Sequence, residues 1–573
     1  MLQYYKQIFE KKLYFLVFCL LCWSINAQKN YPKNYFGLPV DIPLLLAGNF
    51  GELRPNHFHA GIDIKTQGGQ GVRIYSIADG VVSRIKVSTR GYGKVIYIEH
   101  PNGYTSVYAH LQKFSPEIEA YVKRHQYQKQ KYEVELFPQA TDFSIKKGDL
   151  IALSGNTGGS VAPHLHFEIR DTKTQKSINP RHFGYEITDQ IAPILYRLYG
   201  YSLNDQSAIN GSQFPVQIPF TKQGNNQFVA DKIYADGLIG LGVQTIDKKN
   251  FTNNIYGIYK ATISVNGSFI LSYVFDEMNF AEDNYINTLI DYALYFKNSS
   301  RIQLMYKKDS NKLSLYSPTN SNGMIDIQEG FTYNVVITLE DFNKNTTQIQ
   351  IPIEGKKQPI TEPLPEPKGT LLVALRDNYY KTDNGNVFFP QQTFYENLYI
   401  DVKTQSDTLK VFPNDVPLRK YYNLTIENQG KFKENELSQV LIASVNPKNK
   451  RLAPLSTVRK GNTFSTRTKS LGDFVLVKDS IAPTILPVNF SSVKNNVSKL
   501  AYLKVKINDN FSGIDQYTPT INGKWILMEY EPKEKMLTFD MSDMTFIDKE
   551  LIFRLVVKDN VGNENSVTIP LVL

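Results

Sequence analysis

The sequence predicts a mainly β protein made of several consecutive domains. Its 573 residues exceed what one hydrophobic core usually organises, and the length indicates about three to five domains. The 36 tyrosines and 33 phenylalanines favour strands over long helices. Alternating apolar and polar residues recur between Gly, Asn and Asp turns, as in antiparallel hairpins. We therefore expect an N-terminal antiparallel β domain with a helical insertion, followed by several β-sandwich domains.

The N-terminus reads as a secretory signal peptide over residues 1–27. A lysine-containing segment precedes the apolar run 13–23, which is too short for a comfortable membrane span. Ala27 then offers a small residue at the cleavage position. An uncleaved membrane anchor is the alternative interpretation. On the first interpretation the protein meets the membrane only through this segment, during export.

Both cysteines, Cys19 and Cys22, lie inside the segment to be removed. The mature chain would then have no disulfide, no cysteine nucleophile and no cysteine-based metal site, so any metal must be held by His, Asp or Glu. The net charge of +9 is modest for this length and suits an anionic envelope polymer. A secreted chain without a basic run is a poor partner for nucleic acid.

All eight histidines lie between His57 and His182, so imidazole chemistry must be confined to that window. The first part of the window, 72–111, predicts strands joined by tight turns at Asp79-Gly80 and Asn102-Gly103. A helical insertion is predicted at about 115–136, with Ser115 as N-cap and Pro116 at the first helical position. The β pattern then resumes.

An internal repeat organises the C-terminal half. Residues 189–193 and 479–483 both read Asp-x-Ile-Ala-Pro, and 341–353 and 559–571 share the frame D-x-x-x-N-x-x-x-[IV]-x-I-P-[IL]. One domain type is therefore predicted twice. The predicted boundaries of the whole chain are a first β domain at 35–185, an immunoglobulin-like β domain with an insertion at 189–355, a Pro-rich linker at 356–369, a β domain at 370–478, and a second immunoglobulin-like domain at 479–573.

The stretch HFHAGIDIK, 57–65, is the first candidate for a metal site. His59 and Asp63 are four residues apart and share a face on a strand or a helical turn. His57 has the same parity, so spacing alone leaves the choice of histidine open. A polar strand edge without a metal is the competing interpretation.

Two further strands carry histidines that complete such a site. His164 and His166 alternate with apolar residues and point to one face of a strand, and His110 ends another strand. Zinc accepts imidazole and carboxylate ligands, and a catalytic zinc keeps three protein ligands and a water. Two histidines would remain for proton transfer and for stabilising charge.

Four motifs resemble those of the M23 peptidoglycan peptidases, the lysostaphin-type zinc metallopeptidases. They are H-x-G-x-D at 59–63, Y-x-H-L at 108–111, S-G-N-T-G at 154–158 and H-L-H at 164–166. The resemblance covers 35–185 and implies an antiparallel β fold with a groove. It implies that His59, Asp63 and His166 bind Zn²⁺ and that His110 and His164 are catalytic. The connection at 114–143 is longer than is usual in the family. Its helix is either a wall of the groove or a solvent-exposed addition to the fold.

The resemblance implies a zinc metalloendopeptidase that cleaves peptide stems or cross-links of peptidoglycan by metal-activated water. Such an enzyme would act in the periplasm or cell envelope of a bacterium. The alternatives are a catalytically inactive M23-like activator and a cell-envelope binding or scaffold protein. An inactive member would lack a ligand, whereas all five motif positions are filled here. The C-terminal β domains are candidate surfaces for protein partners.

Overall fold

A computed structural model of the chain describes residues 30–317, 319, 321–545 and 548–573. The predicted signal peptide, 1–27, lies outside the described residues. Within the described part, no helix is both long and apolar enough to cross a bilayer. Strands account for most of the regular structure, so the prediction of a mainly β protein is confirmed.

The first domain is built on antiparallel strands with one inserted helix. Its helix α1 spans Pro116–Lys129. Its strands are β1 (Leu46–Gly48), β2 (Leu53–Arg54), β3 (His57–Phe58), β4 (Ile62–Lys65), β5 (Arg73–Tyr75), β6 (Gly80–Val87), β7 (Val95–Glu99), β8 (Tyr104–Ala109), β9 (Leu111–Phe114), β10 (Val134–Leu136), β11 (Ser144–Ile145), β12 (Leu150–Ser154), β13 (His164–Asp171) and β14 (Ser177–Ile178).

The larger sheet of this domain runs in the order β1-β4-β13-β8-β7-β6-β10, and a smaller sheet runs β5-β12-β9. Every pairing along these two paths is antiparallel. On β13, Leu165, Phe167 and Ile169 are fully buried in the core. The intervening histidines therefore face the opposite side of the sheet.

Helix α1 is shorter than the predicted insertion. Pro116 occupies its first turn, and Ile118 and Val122 are buried beneath it. It ends before Gln130, whose φ of 49° is left-handed. The chain then turns back, and β10 pairs with the edge of β6. The last residues of the predicted helix are therefore sheet.

The second domain shares its packing with the first. Its β23 pairs with β14, with Ser177 opposite Met278, and one buried core cluster runs from Phe36 to Ile353. Its helices are α2 (Ile286–Leu289) and α3 (Tyr292–Asn298). Its strands are β15 (Ile194–Ser202), β16 (Ala208–Ile209), β17 (Val216–Ile218), β18 (Phe220–Gly224), β19 (Gln227–Ala230), β20 (Ile233–Ile246), β21 (Lys260–Val265), β22 (Ser268–Val274), β23 (Glu277–Met278), β24 (Gln303–Leu304), β25 (Ile325–Ile327), β26 (Thr332–Glu340) and β27 (Thr346–Gly355).

The third domain has its own core between sheets β28-β31-β32-β38-β34-β35 and β29-β30-β33-β37-β36. Its strands are β28 (Thr370–Leu372), β29 (Asn378–Thr382), β30 (Gly385–Phe389), β31 (Leu398–Gln405), β32 (Thr408–Phe412), β33 (Tyr422–Glu427), β34 (Val440–Val445), β35 (Leu452–Pro454), β36 (Thr457–Lys460), β37 (Thr463–Thr468) and β38 (Gly472–Lys478).

The last domain also has its own core, between sheets β39-β40-β44-β43 and β42-β41-β45-β46. Its strands are β39 (Thr484–Pro487), β40 (Tyr502–Asn508), β41 (Ile514–Ile521), β42 (Lys524–Trp525), β43 (Met528–Glu531), β44 (Met536–Asp540), β45 (Glu550–Asp559) and β46 (Glu564–Val572). The immunoglobulin-like assignment of this domain and of the second, and all the domain boundaries, stay predictions. Short 3₁₀ helices occur at Pro180–Phe183, Phe280–Tyr285, Glu434–Gln439 and Met541–Asp543.

The sequence repeat corresponds to a repeated hydrogen-bond network. In the second domain, Asn345 Nδ2 donates to the carbonyl of Asp189 at 3.2 Å. In the last domain, Asn563 Nδ2 donates to the carbonyl of Asp479 at 3.0 Å. The asparagine of the closing motif therefore holds the aspartate of the opening motif in both copies, which is why the two motifs recur together.

Candidate metal centre and active site

Strand register brings the sequence motifs together in the middle of the larger sheet. Asp63 on β4 lies directly opposite His166 on β13. On the other side of β13, His166 pairs with Ala109 at the end of β8. His110 follows immediately. Three segments that are distant in sequence therefore meet around one point of the sheet.

The glycine between His59 and Asp63 is required by a close approach of two strands. A Cβ atom at Gly61 would lie 2.3 Å from the carbonyl oxygen of Phe167 on β13. That distance is far inside van der Waals contact, and backbone cannot move aside cheaply. The H-x-G-x-D spacing thus combines two polar positions with the one residue that lets β13 approach.

His59, Asp63 and His166 form a compact buried cluster. His59 Nε2 lies 2.9 Å from Asp63 Oδ1 and 3.0 Å from His166 Nδ1, and His166 Nδ1 lies 2.9 Å from Asp63 Oδ1. The three residues are only 6%, 7% and 4% exposed, respectively. One atom of each side chain therefore points at a common centre.

On the ring sides that face away from the cluster, hydrogen bonds place a proton on His59 Nδ1 and on His166 Nε2. His59 Nδ1 lies 2.7 Å from the carbonyl of Asn49, and His166 Nε2 lies 2.8 Å from Glu168 Oε1. A carbonyl and a carboxylate only accept hydrogen bonds, so both of these nitrogens donate. In the neutral imidazoles, His59 Nε2 and His166 Nδ1 then present lone pairs to each other and to Asp63. Converging lone pairs of this kind fit a cation, and two imidazoles with a carboxylate are ligands that zinc accepts.

Charge around Asp63 keeps it ionised. Burial would raise the pKa of its carboxyl group, but His59, His164 and His166 together hold that pKa well below its usual range. Arg54 Nη2 adds a contact at 3.3 Å to Asp63 Oδ2. An ionised carboxylate is the form that binds a metal.

A buried acidic residue lies behind His166. Glu168 is fully buried and accepts hydrogen bonds from Arg170 Nε at 2.6 Å and from the hydroxyl of Tyr92. Burial opposes its charge, but Arg170 and His166 hold the pKa of Glu168 down, at about 2. Sequence reasoning missed this residue, although its position two residues after His166 puts it on the same face of β13.

His110 lies beside the cluster with one nitrogen free. Its φ of 59° is left-handed, which is uncommon outside glycine and turns the chain out of the sheet at the end of β8. Its Nδ1 lies 2.8 Å from the carbonyl of Thr157, so Nδ1 donates and Nε2 keeps its lone pair. Burial, reinforced by His166 and His164, lowers the pKa of His110 to about 3. The residue is a neutral imidazole at ordinary pH.

His164 lies on the other side of the cluster, with its ring centroid 4.8 Å from that of His110. Its Nδ1 lies 2.8 Å from the carbonyl of Ala162 and 3.1 Å from Ser160 Oγ. Its Nε2 lies 3.3 Å from Asp63 Oδ1. Both histidines thus point Nε2 towards the centre while Nδ1 is held by a neighbouring loop.

The remaining histidines lie outside the cluster. His57 is exposed and its Nδ1 lies 2.9 Å from the carbonyl of Pro55, although it lines the same groove. His100 is buried between the carbonyl of Asp79 and the hydroxyl of Ser106. The other two, in helix α1 and at the border with the second domain, pair with Tyr121 and Asp276; they are His125 and His182.

The cluster opens into a groove of about 560 Å³. His57, His59 and Ala60 line one part of it, and Gly159 to Pro163 line another. The second domain contributes Phe280 and Asp283 to the wall. The candidate metal cluster is therefore accessible to a ligand from this groove.

Comparison with known proteins identifies the family of this domain. The model described as Peptidase family M23 matches residues 57–127, which include the first two motifs and end before His164. The first domain is an M23 peptidase domain. A second model, described as Zu5-like domain, matches residues 369–479, nearly the range predicted for the third domain.

Curated relatives agree with this family. The chain is 33% identical over 130 residues to an uncharacterized metalloprotease of Haemophilus influenzae, covering 23% of this chain and 21% of the relative. It is 33% identical over 112 residues to the DD-carboxypeptidase/endopeptidase Mpg of Neisseria meningitidis serogroup B, covering 20% of each. It is 36% identical over 120 residues to the murein hydrolase activator NlpD of Salmonella dublin, covering 21% of this chain and 24% of the relative. The chain therefore spans only about a fifth to a quarter of these relatives.

Proposed function

We propose that the protein is a zinc-dependent endopeptidase that cleaves peptide bonds in the stems or cross-links of bacterial peptidoglycan. The observation that carries this proposal is the convergence of three buried ligand atoms, from His59, Asp63 and His166, beside two histidines whose Nδ1 atoms are held by backbone carbonyls. The two ring nitrogens and the carboxylate oxygen lie within 3.0 Å of one another, so a proton or a cation must lie between them, and a cation satisfies all three at once.

A zinc ion held by His59, Asp63 and His166 would supply Lewis-acid polarisation of an amide carbonyl and acidify a water molecule. His110 and His164 would carry out the proton transfers. Because His110 Nδ1 donates to the Thr157 carbonyl, its Nε2 keeps a lone pair that can accept the water's proton. In its imidazolium form, with Nδ1 donating to Ala162, His164 would donate from Nε2 to the developing oxyanion and then pass that proton to the leaving amine.

The groove and the overall charge support a peptide of the cell wall as substrate. The site lies at the bottom of a groove rather than in an enclosed cavity, so an extended peptide can lie across it. The net charge of +9 favours encounter with an anionic polymer. We also propose export to the periplasm or cell envelope, supported by the signal-peptide pattern of residues 1–27 and by the wall-related names of two relatives.

The experiment that tests the proposal combines metal analysis with peptidoglycan digestion. Purified mature protein is incubated with defined muropeptides, with and without chelator, and the products are identified by mass spectrometry. His166→Ala should lose both bound zinc and peptide release. The matched control is His125→Ala, which removes an imidazole from helix α1 and should change neither.

Each outcome separates the candidates. If wild-type protein binds zinc but releases no peptide from any muropeptide, while it stimulates a separate wall hydrolase, it is an activator and the proposal is wrong. If His166→Ala retains stoichiometric zinc, the metal assignment is wrong even where release persists. A scaffold protein would bind peptidoglycan equally well in both variants.

A further inference from the structure

One short loop is within hydrogen-bond distance of both histidines that are proposed to transfer protons, His110 and His164. This rim loop comprises residues 156–160. The carbonyl of Thr157 accepts from His110 Nδ1 at 2.8 Å, and Ser160 Oγ lies 3.1 Å from His164 Nδ1. A shift of the rim loop would therefore move the Nε2 atoms of His110 and His164 at once.

The last domain contacts this loop from the outside. Lys533 lies in the turn between β43 and β44, and its Nζ donates to the carbonyl of Ser160 at 3.0 Å and to the carbonyl of Asn156. These carbonyls are the first and last of the rim loop. One ammonium group therefore ties together the two ends of the segment that holds His110 and His164.

The hairpin that carries Lys533 is itself anchored on the first domain. Glu529 on β43 pairs with the buried Lys94 at 2.9 Å. The neighbouring Trp525 packs edge-on against Tyr127 of helix α1, with ring centroids 5.5 Å apart. Helix α1 is thus neither free in solvent nor a wall of the groove. The last domain packs against helix α1.

The contact leaves the groove open. Among the described residues, those that line the groove belong to the first two domains. Lys533 reaches the outer side of the rim loop, whereas Thr157 and Ser160 face the histidines. The hairpin therefore contacts the rim loop without lining the groove.

We propose that Lys533 is a positioning residue for catalysis, acting through the rim loop on His110 and His164, and that the last domain is consequently part of the working peptidase. This inference rests on the proposed function. An ammonium group bonded to two carbonyls fixes their separation, and a charged donor makes a stronger bond than a neutral one. Proton transfer depends steeply on the donor–acceptor distance. A small displacement of the loop should therefore lower kcat more than it weakens substrate binding.

The first test is kinetic and uses the full-length protein. Lys533→Ala should lower kcat on the order of tenfold while KM, zinc content and the thermal midpoint stay near wild type. Lys533→Arg can still donate to both carbonyls and should restore most of the activity. The matched control is Lys524→Ala, which removes the same charge from an exposed position of the same domain. A role in domain stability alone would shift the thermal midpoint and leave kcat unchanged.

The second test does not need enzymatic activity. The chelated wild-type and Lys533→Ala proteins are treated with diethyl pyrocarbonate, and the modified histidines are quantified by mass spectrometry. Modification of His110 and His164 should rise several-fold in Lys533→Ala, whereas that of the buried His100 should not change. If wild type proves inactive on muropeptides, the proposed function fails, and this test still decides the positioning. Unchanged reactivity of His110 and His164 together with unchanged kcat would overturn the inference.

Discussion

The pair between Lys94 and Glu529 gives the sharpest prediction for the interface between the first and last domains. Lys94 Nζ lies 2.9 Å from both carboxylate oxygens of Glu529 and 3.2 Å from the carbonyl of Gln112. The Lys94 side chain is only 4% exposed, whereas that of Glu529 is 39% exposed. Replacing Glu529 by Ala would leave a buried ammonium group with one neutral acceptor.

The size of the effect follows from this asymmetry. Removing one member of a fully buried pair costs about 3–5 kcal/mol, because the remaining charge is left uncompensated. Water already reaches Glu529, so part of that cost is relieved by solvent. We therefore expect Glu529→Ala to destabilise the docked arrangement by about 2 kcal/mol.

The pH dependence has a definite sign. Burial alone would lower the pKa of Lys94, but Glu529, with smaller contributions from Glu119 and Asp543, outweighs it and raises that pKa above the ordinary 10.5. For a lysine with a raised pKa, the stabilisation is complete below the unfolded value and is lost as the pH rises through the folded value. The difference between wild type and Glu529→Ala should therefore be constant through neutral pH and shrink only in strongly alkaline solution.

Tryptophan fluorescence provides the assay. The chain has two tryptophans, Trp23 and Trp525. Removal of the predicted signal peptide would leave Trp525, which contacts Tyr127 across the interface. With urea slopes of about 1–3 kcal/mol per molar, a loss of ~2 kcal/mol should lower the midpoint of the Trp525 transition by roughly 1 M.

A double-mutant cycle provides the control. Lys94→Met with Glu529→Leu removes both charges and should recover most of the stability lost by Glu529→Ala. The reasoning is refuted if Glu529→Ala unfolds at the wild-type urea concentration. It is equally refuted if the double variant is less stable than Glu529→Ala.

Three further predictions concern the site itself. His59→Ala should abolish zinc binding, whereas His57→Ala should retain it, as measured by metal analysis after dialysis; the opposite result would reassign the ligand. Glu168→Gln should weaken zinc affinity by about 10–100-fold in a chelator competition, because the partner of the liganding His166 is altered; an unchanged affinity would remove Glu168 from the site. Gly61→Ala should cost at least about 2 kcal/mol in urea denaturation, because its Cβ meets backbone; a soluble variant of wild-type stability would contradict the strand contact.

Much of the fold followed from local patterns. Alternating polarity predicted the β class, and Ser115 with Pro116 predicted where helix α1 begins. The strand or loop expected after it is β10, and the sequence did not place the helix end, because Gln130 adopts a left-handed conformation and the chain then pairs with β6. That pairing is non-local, and no residue between 130 and 136 is a strong helix breaker. The packing of the last domain on helix α1 was equally inaccessible, because it depends on side chains about 400 residues apart in sequence.

The candidate ligands were easier to find than the residues that hold them. His59, Asp63 and His166 occur in short motifs, but the family resemblance rather than their spacing selected them and chose His59 over His57. Glu168 was accessible by the same parity rule but looked like an ordinary polar strand residue. Asn49 could not be found, since it acts through its backbone carbonyl, which carries no signature in the side chain.

The second and last domains, predicted to be two copies of one domain type, each contact the first domain near the site. In the second domain, Gly257 exchanges hydrogen bonds of 2.8 Å and 3.1 Å with the side chain of Asn49, whose own carbonyl accepts from His59 Nδ1. In the last domain, Lys533 holds the rim loop that accepts from His110 Nδ1. Each of these domains thus contacts a residue or loop whose backbone carbonyl accepts from one histidine. Because the orienting acceptors are main-chain atoms, their positions depend on how the domains pack. The second domain also lines the groove through Phe280 and Asp283, and the Lys533 and Asn49 contacts are the routes by which the β domains would act on the histidines.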